Sequence, residues 1–188
     1  TVYTDNNIVY ATGDTSHSQP YYALDGTGYT GEGVTNGGAS RINYTDGVFS
    51  VDSGFENHPV TYVSWYGATA FCNYYGYRLP TEWEWQAVAD YDGSYTYGCG
   101  TSVNNSNVNY YGSTHPDGTT VVGAFGTYGY GMADIAGNVW EWTSTEWTSN
   151  LYFLCGGCWY PLGTCDVSNR ASDGPSGMWH CLGFRVCR

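Results

Sequence analysis

The sequence contains no lysine and few charged residues of any kind. Five arginines stand against 17 aspartates and glutamates, so the formal net charge is −12. A chain this acidic repels phosphate backbones, which argues against nucleic acid as its ligand. Long hydrophobic runs are absent too, and no stretch matches a membrane span or the apolar core of a signal peptide. We therefore expect neither a nucleic-acid-binding protein nor a transmembrane one.

Aromatic residues and glycine are abundant instead. The 188 residues include 20 Tyr, 8 Trp and 27 Gly, and 41% of the chain is hydrophobic. Such a chain can bury a substantial core, and its aromatic content excludes a disordered protein. No linker, charge block or repeat divides the sequence. We expect a single loop-rich domain over 1–188, built from short strands.

Two helices have clear start signals. Ser64 can cap a helix over 65–75, and Thr81 with Glu84 forms a capping box that opens a second helix over about 82–89. One face of the first helix is predicted to carry Trp65, Ala68, Phe71, Cys72 and Tyr75.

The strand signals are short and are separated by turns. Residues 8–10 predict one strand, and residues 41–44 and 48–51 predict a hairpin around Asp46-Gly47. A glycine-rich loop is expected at 25–38. The class is α+β, with two helices against small antiparallel sheets.

The seven cysteines are an odd number, so at least one thiol has no partner within the chain. Cys155 and Cys158 have the spacing of half a zinc site. Only His180 and Cys181 stand near enough in the sequence to complete it. We therefore expect independent thiols or an occasional disulfide.

Three sequence blocks combine into a specific pattern. They are His58-Pro59-Val60 with Val63-Ser64-Trp65; Arg78-Leu79-Pro80-Thr81-Glu82-Trp83-Glu84-Trp85; and Gly131-Met132-Ala133-Asp134-Ile135-Ala136-Gly137-Asn138-Val139-Trp140-Glu141-Trp142. With Gly156-Gly157-x-Trp159 and Gly183-Phe184-Arg185, these blocks resemble the formylglycine-generating-enzyme, or sulfatase-modifying-factor, domain. The resemblance runs from about Arg41 to the C-terminus. It implies a C-type-lectin-like fold.

Many residues of these blocks have a structural interpretation. Four tryptophans are expected in the core because each can bury a large apolar surface: Trp65, Trp83, Trp140 and Trp142. Arg78 and Arg185 lie in mostly apolar segments and need carboxylate partners. The candidates are Glu82, Glu84 and Glu141.

The resemblance also implies a structural calcium ion. The positions that match a calcium site of the family are Asp134, Gly137, Val139 and Glu141. Two carboxylates and two backbone carbonyls along a turn suit the hard, irregular coordination of Ca²⁺.

This sequence, by contrast, lacks the copper ligands that the oxidases of the family use. Those enzymes use a Cys-x4-Cys pair shortly after the glycine turn, and a soft thiolate pair is what Cu(I) requires. Here Pro161 stands where the first cysteine would be, and no two cysteines are five positions apart. We expect no copper. His17, His58, His115 and His180 form no cluster that would support the iron–histidine chemistry of other members.

A second use of the same scaffold fits the C-terminus better. The turn at 156–159 and the closing strand at 182–186 resemble the variable region of a diversity-generating-retroelement variable protein. In that family, template adenines, often in AAC codons, are replaced by any base. Every residue at 160–166 can arise from AAC in this way. The resemblance implies a ligand-binding protein with 152–187 as its variable region.

This reading assigns ligand binding to fifteen residues: Tyr152, Cys155, Cys158, Tyr160, Pro161, Leu162, Gly163, Thr164, Asp166, Ser172, Asp173, Met178, Trp179, His180 and Cys181. Those from Tyr160 onward are predicted to form one exposed patch. The scaffold beneath it is expected to bury Phe153, Trp159, Leu182, Phe184 and Val186.

The expected partner is a protein or glycan on a cell surface, and we expect a cell-surface, secreted or virion-associated protein. The alternatives are a formylglycine-generating or related sulfatase-modifying oxidoreductase, or a catalytically inactive relative.

Overall fold

The computed structural model describes residues 1–24, 40–111, 118–160 and 164–188. The glycine-rich loop predicted at 25–38 lies outside the described residues. The chain begins with an antiparallel sheet in the order β1-β2-β3, formed by Val2–Asp5, Ile8–Ala11 and Pro20–Ala23.

A two-stranded hairpin follows, as predicted. Its strands are β4, Ile42–Thr45, and β5, Val48–Val51, paired in antiparallel register. Asp46 and Gly47 between them both have positive φ, at 51° and 85°. This conformation matches the right-handed twist of the flanking strands, and Asp-Gly is among the few sequences that adopt it readily.

Helix α1, Trp65–Tyr75, confirms the first predicted helix. The Ser64 side chain accepts a hydrogen bond from the Gly67 amide, and Gly76 ends the helix in the left-handed conformation. The predicted apolar face is only partly correct. Ala68 and Cys72 are buried, whereas Phe71 and Tyr75 are exposed, and their rings are in tilted contact at the surface.

Helix α2, Glu82–Ala89, begins with the predicted capping box between Thr81 and Glu84. Trp85 is buried on its inner face. Trp83 is 69% exposed, so its predicted place in the core is wrong. Residues two apart on a helix point to nearly opposite sides, and burial of Trp85 therefore turns Trp83 toward solvent.

The C-terminal half forms a four-stranded sheet in the order β8-β7-β6-β9. The strands are β6, Trp140–Thr148; β7, Leu151–Cys155; β8, Ala171–Asp173; and β9, Leu182–Phe184. Strand β9 pairs with β6 in parallel, and the other neighbours are antiparallel. The two ends of the predicted variable region, β7 and β9, therefore both pair with β6.

The main core lies between this sheet, α1 and the N-terminal sheet. Trp140 and Trp142 are completely buried there, as predicted, and the Trp142 indole donates to the Val63 carbonyl at 3.0 Å. Trp65 is half-buried and donates to the Thr143 carbonyl. Within the described ranges, no helix is both long and apolar enough to cross a membrane.

Candidate functional site

The glycine turn at the start of the variable region is dictated by packing. Gly156 and Gly157 have φ of 97° and 70°, which glycine adopts without a steric cost. A Cβ atom on Gly157 would lie 2.9 Å from the Cα atom of Cys165. The close approach holds the returning chain at Cys165 against the end of β7.

An ion pair anchors the chain again at Arg170, just before β8. Arg170 Nε donates to Glu82 Oε2 at 3.1 Å, and its Nη2 donates to Gln86 Oε1 at 2.6 Å. Both partners lie on α2, and both side chains of the Arg170–Glu82 pair are largely buried. The sequence suggested Glu82 as a partner of Arg78 or Arg185, and the structure gives it to Arg170 instead.

Arg78 and Arg185 each have a carboxylate partner from the three candidates, as expected. Arg78 binds Glu84 at 2.7 Å on the surface, and Arg185 binds Glu141 at 2.6 Å in the interior. These contacts fix the loop before α2 and the end of β9 to the rest of the fold.

Most of the cysteine side chains lie in the protein interior, where they contribute to packing. Six of the seven are buried, and none is in a disulfide. Burial raises the pKa of both Cys155 and Cys165 to about 12. The pKa of Cys181 is raised by a hydrogen bond with Cys158 and by burial. Such thiols stay protonated at neutral pH, and the protonated form is a poor nucleophile and metal ligand.

Among the residues described, no three histidine, cysteine or acidic side chains are grouped to hold a metal ion. These described residues therefore include no zinc site formed by Cys155, Cys158, His180 and Cys181.

His180 is enclosed by aromatic rings. Its ring centroid lies 5.1 Å from that of Trp159 and 4.7 Å from that of Tyr160, both in edge contact. Burial lowers the pKa of His180 to about 4. The imidazole is therefore neutral at physiological pH and acts as a packing group.

Five of the predicted ligand-binding residues are buried in the structure. Their exposed fractions are 6% or less, and they are Cys155, Cys158, Met178, His180 and Cys181. The expectation that Met178, His180 and Cys181 lie in an exposed patch is wrong. The physical reason is that the chain before β9 turns inward: the Cys181 carbonyl accepts from the Trp140 amide, which places this stretch beside the core.

The remaining predicted residues have access to solvent. Thr164 is exposed, and the half-buried ones are Tyr152, Tyr160, Asp166, Ser172, Asp173 and Trp179. Pro161, Leu162 and Gly163 lie outside the described residues.

The predicted scaffold is only partly buried. Leu182 is fully buried, as predicted, whereas Phe153, Trp159 and Phe184 are half-buried. Val186 is 39% exposed, so its predicted burial is wrong; it lies beyond the end of β9, where the sheet no longer covers it.

The two predicted carboxylate ligands of calcium, Asp134 and Glu141, lie close enough to affect each other electrostatically. Asp134 Oδ2 accepts from the Gly123 amide at 2.7 Å, and Glu141 accepts from Arg185 and from the Trp85 indole. Burial raises the pKa of Asp134, and the nearby Glu141 carboxylate adds to the effect. The Gly123 amide and the Arg185 guanidinium act in the opposite direction and lower the pKa of Asp134.

Carboxylate and carbonyl oxygens are the donors that Ca²⁺ prefers. Glu141 Oε1 accepts from Arg185, and a carboxylate oxygen has a second lone pair. Asp134 and Glu141, with the carbonyls of Gly137 and Val139, would hold the ion. This site stays a prediction.

A cleft of about 450 Å³ adjoins the end of β8. Its walls are Tyr66, Asn150, Asp173 and the turn at 174–177. Asp173 was predicted as a ligand-binding residue, but Tyr66 and Asn150 were missed. They come from α1 and from the turn between β6 and β7, and no local sequence signal links them to β8.

The fold and the site define a C-type-lectin-like domain of the sulfatase-modifying class. The family model described as the sulfatase-modifying factor enzyme 1-like domain matches residues 11–188, and the chain belongs to this family.

Among curated relatives, the formylglycine-generating enzyme of Mus musculus is 33% identical over 69% of this chain and 38% of its own length. The serine/threonine-protein kinase pkn1 of Chlamydia caviae is 31% identical over 79% of this chain and 27% of its own. An inactive Cα-formylglycine-generating enzyme 2 of Bos taurus is 32% identical over 68% of this chain and 49% of its own. The chain thus spans less than half of each relative. Active and inactive proteins occur among them.

Solved structures support the fold. CarF superposes with a TM-score of 0.65 at 22% identity, and Treponema denticola variable protein 1 with 0.61 at 21% identity. Each match covers 80% of this chain and 74% of the other.

Proposed function

We propose that this chain is a ligand-binding protein that presents diversified side chains on a C-type-lectin-like scaffold. The observation that carries the proposal is the state of its cysteines. The sequence has no Cys-x4-Cys pair, and burial raises the pKa of both Cys155 and Cys165 to about 12. A chain without a reactive thiol pair lacks the ligands for copper-dependent cysteine oxidation.

The arrangement of the variable region supports the proposal. Its two ends, β7 and β9, are hydrogen-bonded to β6, and Arg170 ties its middle to α2. Backbone pairing and one ion pair define the path of the chain. The solvent-facing side chains between these anchors can then change at little cost to the fold.

The burial pattern narrows the surface that would meet a ligand. We assign recognition to the exposed or half-buried members of the predicted set and leave the buried ones to the core. Tyr152, Tyr160 and Trp179 are the aromatic side chains of this surface, and Thr164 and Ser172 are small polar ones. Aromatic anchors framed by small polar groups are typical of adaptable binding surfaces.

Treponema denticola variable protein 1 has the same fold. The fold alone does not separate a variable protein from an oxidase, since the mouse formylglycine-generating enzyme is also a relative. The distinction therefore depends on the thiols.

The test is an oxidation assay. The protein is incubated with copper, oxygen and a peptide containing Cys-x-Pro-x-Arg, beside a family enzyme that carries the Cys-x4-Cys pair. We expect the peptide cysteine to stay intact with this chain. The double variant Pro161→Cys, Asp166→Cys restores the spacing and should bind Cu(I) more tightly than the natural chain. Turnover by the natural chain well above a no-protein control would overturn the proposal.

A further inference from the structure

The cleft beside β8 is bordered by a row of three side chains on one face of the sheet. Glu146 of β6 is opposite Tyr152 of β7, and Tyr152 is opposite Asp173 of β8. Directly opposite residues on neighbouring strands project to the same side. An aromatic ring therefore stands between two carboxylates next to the cleft.

The aromatic part of this row is held in place. The Tyr152 ring stacks on Trp65 with centroids 4.2 Å apart. Tyr66, the next residue of α1, lines the cleft, and Asn150 lines it from the β6–β7 turn. The Asn150 amide donates to Glu146 Oε1 at 2.8 Å, which fixes that carboxylate at the same edge.

Asp173 has no cation of its own in the described part of the chain. Its Oδ2 atom is buried and has no hydrogen-bond partner there. Burial raises the pKa of Asp173, and donors from Gly174 and Trp179 offset only part of that effect. A buried carboxylate is costly to keep ionised unless a positive group approaches it.

The chain cannot easily supply that positive group. It has no lysine. Its arginines are engaged elsewhere: Arg41 with Asp52, Arg78 with Glu84, Arg170 with Glu82, Arg185 with Glu141, and Arg188 over the Tyr77 ring.

We propose that this cleft binds the guanidinium group of an arginine side chain on a partner protein, with Asp173 as its ion-pair partner. The inference rests on the proposed binding function and names the chemistry of its ligand. A guanidinium is planar, donates charge-assisted hydrogen bonds to carboxylates and stacks on aromatic rings. The net charge of −12 attracts a basic partner surface.

The test uses N-acetyl-arginine-amide as a probe of an arginine within a protein. It is titrated into isotopically labelled protein, and amide chemical shifts are followed by NMR. N-acetyl-citrulline-amide, a neutral molecule of the same shape, and N-acetyl-lysine-amide are titrated in parallel. We expect the arginine compound to shift the amide signals of Asn150, Asp173, Gly174, Ser176 and Gly177, and the other two compounds to bind at least tenfold more weakly.

Two variants make the result specific. Asp173→Asn keeps the shape of the side chain and should weaken arginine binding at least tenfold. Asp46→Asn removes the same charge from the exposed turn between β4 and β5, which has no part in the proposed binding surface, and should leave binding within about twofold. Equal binding of citrulline or lysine, unchanged binding by Asp173→Asn, or the same shifts caused by calcium chloride would overturn the inference. If the arginine compound does not bind and the peptide cysteine also stays intact in the copper assay, the arginine ligand is rejected but the proposed function is not.

Discussion

Arg185 and Glu141 are joined by two hydrogen bonds of 2.6 Å each, from Nε to Oε2 and from Nη2 to Oε1. Arg185 directly follows β9, and Glu141 lies in β6, the parallel neighbour of β9. The Trp85 indole of α2 donates to the same carboxylate. One buried acid therefore connects the last strand, the centre of the sheet and the second helix.

The first prediction concerns this pair. Glu141→Gln leaves the largely buried Arg185 charge without its partner and should lower the free energy of unfolding by about 3–5 kcal/mol. Glu84→Gln removes the corresponding charge from the exposed Arg78 pair and should have a much smaller effect. Urea unfolding followed by tryptophan fluorescence measures both. Equal losses in the two variants would contradict a dominant role for the buried pair.

The second prediction is that calcium stabilises the fold. An ion that binds only the folded state raises the melting temperature, and EDTA should lower it again. Asp134→Asn should reduce this response. Asp46→Asn is the matched control, because Asp46 and Asp134 both have positive φ, a conformation that asparagine tolerates. An identical melting temperature in calcium and in EDTA would exclude the site.

The third prediction separates the core from the surface within the variable region. Met178→Ala should cost about 2–5 kcal/mol, because it opens a cavity at a position that is 2% exposed. Ser172→Ala, on the half-buried part of the segment, should change stability by about 0.5 kcal/mol or less. The comparison uses chemical denaturation. If Met178→Ala left the stability unchanged, Met178 would belong to the variable surface, as the sequence predicted.

The fourth prediction concerns pH. Burial lowers the pKa of His180 from its ordinary value of 6.5 to about 4. The unfolded chain therefore takes up a proton at a higher pH than the folded chain, and stability is lost as the pH falls from about 6.5 to about 4. His180→Gln cannot be protonated and should lose less stability over that window. The free energy of unfolding of both proteins is measured from pH 7 to pH 4. An equal decrease in the two would show that His180 does not contribute to the pH dependence of stability.

Features that depend on a few neighbouring residues could be predicted from the sequence. The Thr81–Glu84 capping box and the Asp46-Gly47 hairpin turn are local, and both are present as predicted. The cost of a buried unpaired charge predicted that Arg185 has a carboxylate partner, with Glu141 among three candidates, and the structure selects Glu141.

Burial in irregular segments could not be predicted in the same way. Met178 and His180 have no helical or strand periodicity around them, so nothing local shows which side faces the core. The cleft residue Tyr66 likewise depends on where α1 lies relative to Asp173. Both features are set by tertiary packing.

The most direct measurement of the central claim is sequencing of the 3′ end of the gene, with its flanking DNA, in many independent clones. The account predicts a nearby reverse transcriptase gene and a near-copy of this region. Substitutions should fall at adenines of that copy, in the codons of surface residues such as Tyr160, Thr164 and Ser172. The buried Leu154 and Leu182 should be spared. Substitutions spread evenly over buried and exposed codons, with no near-copy beside the gene, would contradict the account.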